Sequence, residues 1–191
     1  MPELVARSMS ECHLYMDLQP CPHCGEPEFS WTRHEAGIRD GQKTSAYEGE
    51  CPTCRGARRF EFIVLDPNLP PPLLGGPEPS QIIDPAQFLA VGDHAWPLAV
   101  LRADATPDEI EDAYDAAVDA VAAVEEILKF IPPDAAVVPE TAFHGPEGLA
   151  RLAANPMRFS RRTLEAVLVD RREVLAELSR HMDAIDWDSV D

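Results

Sequence analysis

The chain has 191 residues, of which 45% are hydrophobic, and a formal net charge of −18. This apolar content is sufficient for a folded core, but no apolar run approaches the roughly 20 residues that a membrane-spanning helix requires. The acidic excess disfavours non-specific binding to nucleic-acid backbones. Residues 1–20 lack a basic region followed by an apolar stretch, so we expect no secretory signal and a cytoplasmic location. The preference for arginine over lysine, together with abundant alanine and proline, suggests a GC-rich bacterial genome.

Two cysteine pairs of matching spacing lie in the first third of the chain. Each is a Cys-Pro-x-Cys turn, and 26 residues separate the first turn from the second. In a protein without a secretory signal, this pattern indicates metal binding rather than disulfides, and a lone redox motif would contain one pair only. Four thiolates make the tetrahedral sulfur site that structural zinc prefers. We therefore predict one structural Zn²⁺ per chain, with the ligands Cys21, Cys24, Cys51 and Cys54.

The residues around these turns predict a small antiparallel sheet. Alternation of apolar and polar residues indicates a strand over 29–33, and Gly37 with Asp40-Gly41 supplies turn residues. Residues 43–50 and 59–65 are the second and third strands. Because a sheet of this size buries little apolar surface, we expect the metal to contribute to its stability.

The two cysteine turns and these strands resemble the zinc-ribbon superfamily over about fifty residues, roughly 14–65. The resemblance implies that the four cysteines bind metal, but it does not indicate one function. Zinc ribbons occur in transcription factors, ribosomal proteins, enzymes and interaction modules. Cys12-His13 lies just before the first turn; Cys12 is predicted to be a free thiol, with a fifth ligand or a second site as alternatives. His23, inside the first turn, is expected to face solvent or to support a ligand.

A proline- and glycine-rich stretch over 66–80 predicts a stiff connection between two parts of the chain. The expected organisation is a zinc ribbon with an N-terminal extension over 1–65, this linker, and an acidic helical domain over 81–191. The overall fold class is therefore α+β. Leu69, Leu73 and Leu74 suggest that the linker packs on another part of the protein.

The helical region contains clear start and stop signals. Asp84-Pro85 and Thr106-Pro107 each place a capping residue before a proline, and Pro132-Pro133 ends the second helix. A short helix follows Pro146, and a long amphipathic helix begins near Ser160. We expect a small bundle or a helical cap on the ribbon. The apolar stripe predicted for the second helix comprises Ile110, Tyr114, Ala117, Val118, Val121, Leu128 and Ile131.

The second helix also carries a dense acidic face. One interpretation is a solvated surface that keeps the protein soluble. The other is a binding surface for a basic protein, as in acidic inhibitors of toxic enzymes. On the second interpretation we predict a non-enzymatic immunity or antitoxin-type protein that neutralises a basic partner. Its candidate contact residues are Asp108, Glu111, Asp112, Asp115 and Asp119.

Two other functions remain open from the sequence. A nucleic-acid- or transcription-associated regulator would use the ribbon, with Arg55, Arg58 and Arg59 as contacts beside aromatic rings. An enzyme would need a site around the scattered histidines, of which His94 and His144 are the candidates. No metallohydrolase, nucleophile-elbow, phosphate-loop or dinucleotide motif is present, which makes catalysis the less favoured reading.

Overall fold

The computed structural model describes residues 3–185 of the chain. It has a mixed α/β fold and divides into two compact units, an N-terminal unit over Met1–Ile83 and a helical unit over Asp84–Asp191. None of the helices in the described residues combines the length and the apolarity that crossing a bilayer demands.

The N-terminal unit contains a four-stranded sheet. Its strands are β1 (Leu4–Ala6), β2 (Ser30–Arg39), β3 (Gln42–Glu50) and β4 (Ala57–Val64), in the spatial order β1-β4-β3-β2. The three predicted strands are present and antiparallel, whereas β1, which pairs parallel to β4, was not predicted. Gly37 lies within β2, so its assignment to a turn was wrong; the chain reverses at Asp40-Gly41 instead.

A helix that the sequence did not reveal, α1 (Met9–Asp17), follows β1. Ser8 caps it by accepting a hydrogen bond from the Glu11 backbone N–H, and the same hydroxyl donates to the Leu74 carbonyl at 2.8 Å. The helix brings its apolar side against the sheet to form the core of the unit. Buried members of this core are Ala6, Cys12, Met16, Phe29, Tyr47, Phe62 and Val64.

A buried ion pair holds α1 to the segment that follows β4. Arg7 and Glu11 are almost inaccessible to solvent, and their side chains meet at 2.7 Å. The Arg7 guanidinium also donates to the Glu78 carbonyl at 2.6 Å. Residues 73–78 of the predicted linker are therefore fixed to the N-terminal unit by Arg7 and Ser8.

Up to residue 185, the helical unit contains four helices, α2 (Pro85–Ala95), α3 (Pro107–Lys129), α4 (Pro146–Ala154) and α5 (Arg161–Asp183). Short 3₁₀ turns lie at Trp96–Ala99, Glu140–Ala142 and Pro156–Phe159. The predicted starts are confirmed, because Asp84 and Thr106 each form a complete capping box and Ser160 caps α5. These caps satisfy amide groups that a helix terminus leaves without partners.

The buried face of α3 differs in part from the predicted stripe. Ala117, Val121 and Ile131 are buried as predicted. Ile110, Tyr114, Val118 and Leu128 are only partly buried, and several further alanines occupy buried positions. Because α3 packs on both α2 and α5, it needs two contact faces, and alanine allows both neighbours to approach closely. The buried residues are Ala113, Ala116, Ala117, Ala120, Val121, Ala123, Val124, Glu126 and Ile127.

Candidate functional site

The two Cys-Pro-x-Cys turns have the same backbone geometry. In each, the N–H of the first cysteine donates to the carbonyl five residues later, and its own carbonyl accepts from the N–H four residues later. The residue four positions after the first cysteine has positive φ in both turns: Gly25 at 76° and Arg55 at 60°. Glycine adopts this conformation without a steric cost, but arginine does not.

These turns bring the four cysteine sulfurs together. The Sγ atoms of Cys21, Cys24, Cys51 and Cys54 all lie within 4.8 Å of one another. Two of the separations, Cys21–Cys54 and Cys24–Cys51, are 3.6 Å. A regular tetrahedron with metal–sulfur bonds of about 2.3 Å has sulfur–sulfur edges of about 3.8 Å. The four cysteines therefore have the geometry to coordinate one metal ion.

The electrostatics of the cluster also favour a cation. The backbone N–H of His23 stabilises the Cys21 thiolate and lowers the pKa of that thiol to about 6. At Cys24 the backbone N–H of Glu26 acts in the same direction, but desolvation and the neighbouring cysteines outweigh it and raise the pKa to about 12. At Cys54 the backbone N–H of Gly56 again favours the thiolate, but the same two effects, desolvation and hydrogen bonds to neighbouring cysteines, outweigh it and raise the pKa. A dication among the sulfurs would stabilise the thiolates and lower the pKa of these thiols.

Cys12 and the neighbouring histidines lie outside this cluster. Cys12 is fully buried in the apolar core, and burial raises the pKa of its thiol to about 12. His13 instead contacts Tyr47, with 3.1 Å between its Nε2 and the phenol oxygen. His23 is exposed and lies beside Gly56 of the second turn. Of the cysteine and histidine residues near the turns, only the quartet forms a group that could bind metal within residues 3–185.

The structure also assembles a group of rings that the sequence did not indicate. His34 stacks on Tyr47 with ring centroids 4.7 Å apart, and its Nε2 lies 2.8 Å from the Ser45 hydroxyl. Trp31 contacts both Tyr47 and His13. The members come from α1, β2 and β3, so no local spacing in the sequence could have grouped them. They connect α1 to the exposed outer strand β2.

The three arginines proposed for nucleic-acid contact all have partners within the N-terminal unit. Arg58 is 7% exposed, and its guanidinium lies over Phe29 and Phe60 and donates to the carbonyls of Gln19 and Glu28. Arg59 pairs with Glu48 and Glu61, and Arg55 pairs with Glu50. The three arginines therefore do not form a basic patch of unpaired charges.

The five acidic candidates on α3 present a different environment. Asp108, Glu111, Asp112, Asp115 and Asp119 are all exposed, and within the described part of the chain none has a basic partner. The pKa of Asp119 is raised, mainly because its carboxyl group is partly buried and to a smaller extent because of the nearby charge of Asp115.

Other acidic side chains of the same helix do have basic partners. These pairs are Glu109 with Arg102, Glu125 with Arg172 and Glu126 with Lys129. The unpaired carboxylates are thus concentrated along one line of the helix surface.

The histidines considered for catalysis remain separate from a metal-binding group. His94 and His144 are exposed, as is His181, which was not a candidate and hydrogen-bonds to the Glu177 carbonyl within α5. Among residues 3–185, the four cysteines are the set of potential ligands close enough to share an ion.

Comparison with protein-family models, with curated proteins and with solved structures gives no significant match. The functional assignment therefore depends on the geometry and charge of this chain alone.

Proposed function

We propose that this protein is a non-enzymatic protein-binding module whose N-terminal unit is folded around one structural zinc ion. Four cysteine ligands in near-tetrahedral positions favour zinc over harder cations, which prefer oxygen ligands. Because four protein ligands leave no open coordination position, we assign the ion a structural role and not a catalytic one.

The unpaired acidic face of α3 carries the binding proposal. Its five carboxylates share one exposed line, and most arginines of the helical unit have partners elsewhere. Arg158, for example, makes two hydrogen bonds to Asp93, and Arg161 donates to the carbonyls of Ile131 and Pro132. A basic protein would find these carboxylates available without displacing an internal partner, and electrostatic attraction would accelerate its association.

The specific role we propose is neutralisation of a basic toxin, as an immunity or antitoxin-type protein. A nucleic-acid-associated role is less favoured, because Arg58 is buried and Arg55 and Arg59 are paired with carboxylates. Zinc ribbons in general permit either role, so the charge environment is what distinguishes them.

Affinity purification from the source cells tests the binding proposal with matched variants. The variant Asp108→Asn/Asp112→Asn/Asp115→Asn removes three charges from α3, and the control Glu165→Gln/Asp170→Asn/Glu173→Gln removes three exposed charges from α5. We expect a basic protein to co-purify with the native chain and the control but not with the α3 variant. Equal recovery with all three would contradict the assignment of the acidic face.

The inhibitory role requires a second measurement on the purified partner. Addition of the native chain should abolish the partner's toxic or enzymatic activity, and association should slow as salt increases. If the chain binds the partner but the partner's activity is unchanged, the proposed interaction stands and the proposed neutralisation is wrong.

A further inference from the structure

The outer strand of the sheet, β2, is exposed along its whole length. All ten of its residues are accessible, including Trp31 at 44% and Ile38 at 78% of full exposure. β2 pairs with β3 on one side, and no other strand in the described residues pairs with its outer edge. An edge of this length offers a row of backbone donors and acceptors to another chain.

Hairpin geometry determines which residues of β2 offer those groups. Asp40 and Gly41 have φ of 52° and 80°, which defines a two-residue type I′ turn closed by the pair Arg39–Gln42. Because hydrogen-bonded and non-bonded pairs alternate in an antiparallel ladder, Glu35 and Gly37 also bond to β3. The N–H and C=O groups of the intervening residues, His34, Ala36 and Ile38, are therefore directed outward.

The side chains of β2 favour one antiparallel self-pairing over the registers centred on Ala36 and Glu35. With a two-fold axis at Gly37, Ala36 of each copy lies opposite Ile38 of the other, and both residues supply outward backbone groups. Glu35 of each copy then lies opposite Arg39 of the other. A centre at Ala36 would instead oppose Arg33 and Arg39, and a centre at Glu35 would oppose two glutamates.

We propose that two copies of this chain associate through antiparallel pairing of β2 about Gly37, which joins the two sheets into one of eight strands. The two-fold axis is perpendicular to the sheet, so Ala36 and Ile38 of both copies meet on the same face. The Glu35–Arg39 pairs extend charge networks that already exist, since Glu35 contacts Arg33, and Arg39 contacts Glu61.

Charge distribution is compatible with association through this unit. The N-terminal unit contains seven Lys and Arg residues and twelve Asp and Glu residues, a net charge of −5. The helical unit has nine basic and twenty-two acidic residues, a net charge of −13. At physiological ionic strength, repulsion between exposed charges is screened beyond about 8 Å. The less acidic unit is thus the one that offers the open edge.

Sedimentation equilibrium of the full-length, metal-loaded chain, from about 1 to about 500 µM, tests the proposal. We expect a reversible monomer–dimer equilibrium. Ala36→Pro should abolish it, because proline removes an outward N–H while leaving the bonds between β2 and β3 intact. A native chain that remains monomeric throughout this range would overturn the proposal.

A charge exchange tests the register itself. Glu35→Arg and Arg39→Glu should each weaken dimerisation by at least about tenfold, because each replaces two attractive pairs with two repulsive ones. The double variant should restore the dimer. A mixture of the two single variants should form a heterodimer, since their charges are then complementary.

Arg33→Glu is the matched control for these reversals. It also breaks exposed ion pairs, with Glu35 and Glu48, but in the proposed register residue 33 lies opposite an uncharged glycine. Its dimerisation should be unchanged. Metal content and circular dichroism of each variant verify folding. A dimer that survives Ala36→Pro, or that responds equally to all three reversals, would assign the contact to another surface and overturn the proposal.

Discussion

The two units of this protein illustrate two ways of stabilising a small fold. The N-terminal unit has a small sheet, a cluster of four cysteine sulfurs and a buried Arg7–Glu11 pair. The helical unit instead closes around alanine-rich contacts of α3 with α2 and α5. It also buries an arginine, Arg171, which donates to the Ala120 carbonyl and lies over Trp96 without a carboxylate partner in the described residues. The first unit therefore depends on a few specific polar groups, and the second on distributed packing.

Loss of the metal site should give the largest difference in stability between the two units. Cys24→Ser or chelation should unfold the N-terminal unit, because structural zinc sites contribute about 10–16 kcal/mol in small domains. Hydrogen exchange resolved by peptide should show lost protection in β2–β4 and retained protection in α3 and α5. Cys12→Ala is the control and should keep one metal ion per chain. Full protection and metal content in Cys24→Ser would refute the site.

Arg7 and Arg171, the buried arginines that distinguish the two units, should respond oppositely to the same substitution. Arg7→Met leaves the Glu11 carboxylate buried without its partner and should cost about 3–5 kcal/mol of unfolding free energy. Arg171 is 6% exposed and forms no ion pair with a carboxylate in the described residues, and burial lowers the pKa of its guanidinium. Arg171→Met should therefore be neutral or stabilising, by up to about 4 kcal/mol. Urea denaturation measures both, and equal destabilisation would remove this distinction.

The two cysteine turns offer a smaller test within one unit. Arg55→Gly should stabilise the N-terminal unit by about 1 kcal/mol, because it relieves positive φ at a residue with a side chain. The exposed Arg55–Glu50 pair that it removes contributes little. Gly25→Ala, at the equivalent position of the first turn, should destabilise the unit. Thermal unfolding of the metal-loaded protein should show midpoints that move in opposite directions.

Asp119→Asn, in the helical unit, should give the smallest change in folding stability. Burial and then Asp115 raise the pKa of Asp119 above its ordinary value of 3.8, so its ionised form is destabilising in the folded state. The variant should therefore be more stable at neutral pH, by about 0.5 kcal/mol or less. This advantage should disappear as the pH falls and the native carboxylate becomes protonated. An advantage that persists at low pH would reject the electrostatic cause.

Local signals in the sequence were sufficient for much of this structure. The spacing of the cysteines predicted their cluster, and capping residues such as Asp84, Thr106 and Ser160 located the helix starts. The missed features depend on contacts between distant residues. β1 is only three residues long and is defined by its pairing with β4, and α1 is weakly amphipathic. The α3 stripe was correct at Ala117 and Val121 but wrong at several of its larger members, such as Tyr114 and Leu128, which are only partly buried. Large apolar residues give a stronger sequence pattern than the alanines that contact the two neighbouring helices.

The parallel pairing of β1 with β4 has a consequence for folding during synthesis. β1 leaves the ribosome before β4, and its partners at residues 62–64 emerge almost sixty residues later. The hydrogen bond from Arg7 to the Glu78 carbonyl can form only after residue 78 has also emerged. Contacts between residues so far apart in sequence slow folding. The nascent N-terminal unit thus has its cysteine turns and β2–β3 hairpin available before its first strand can pair, and its open edge is exposed throughout that interval.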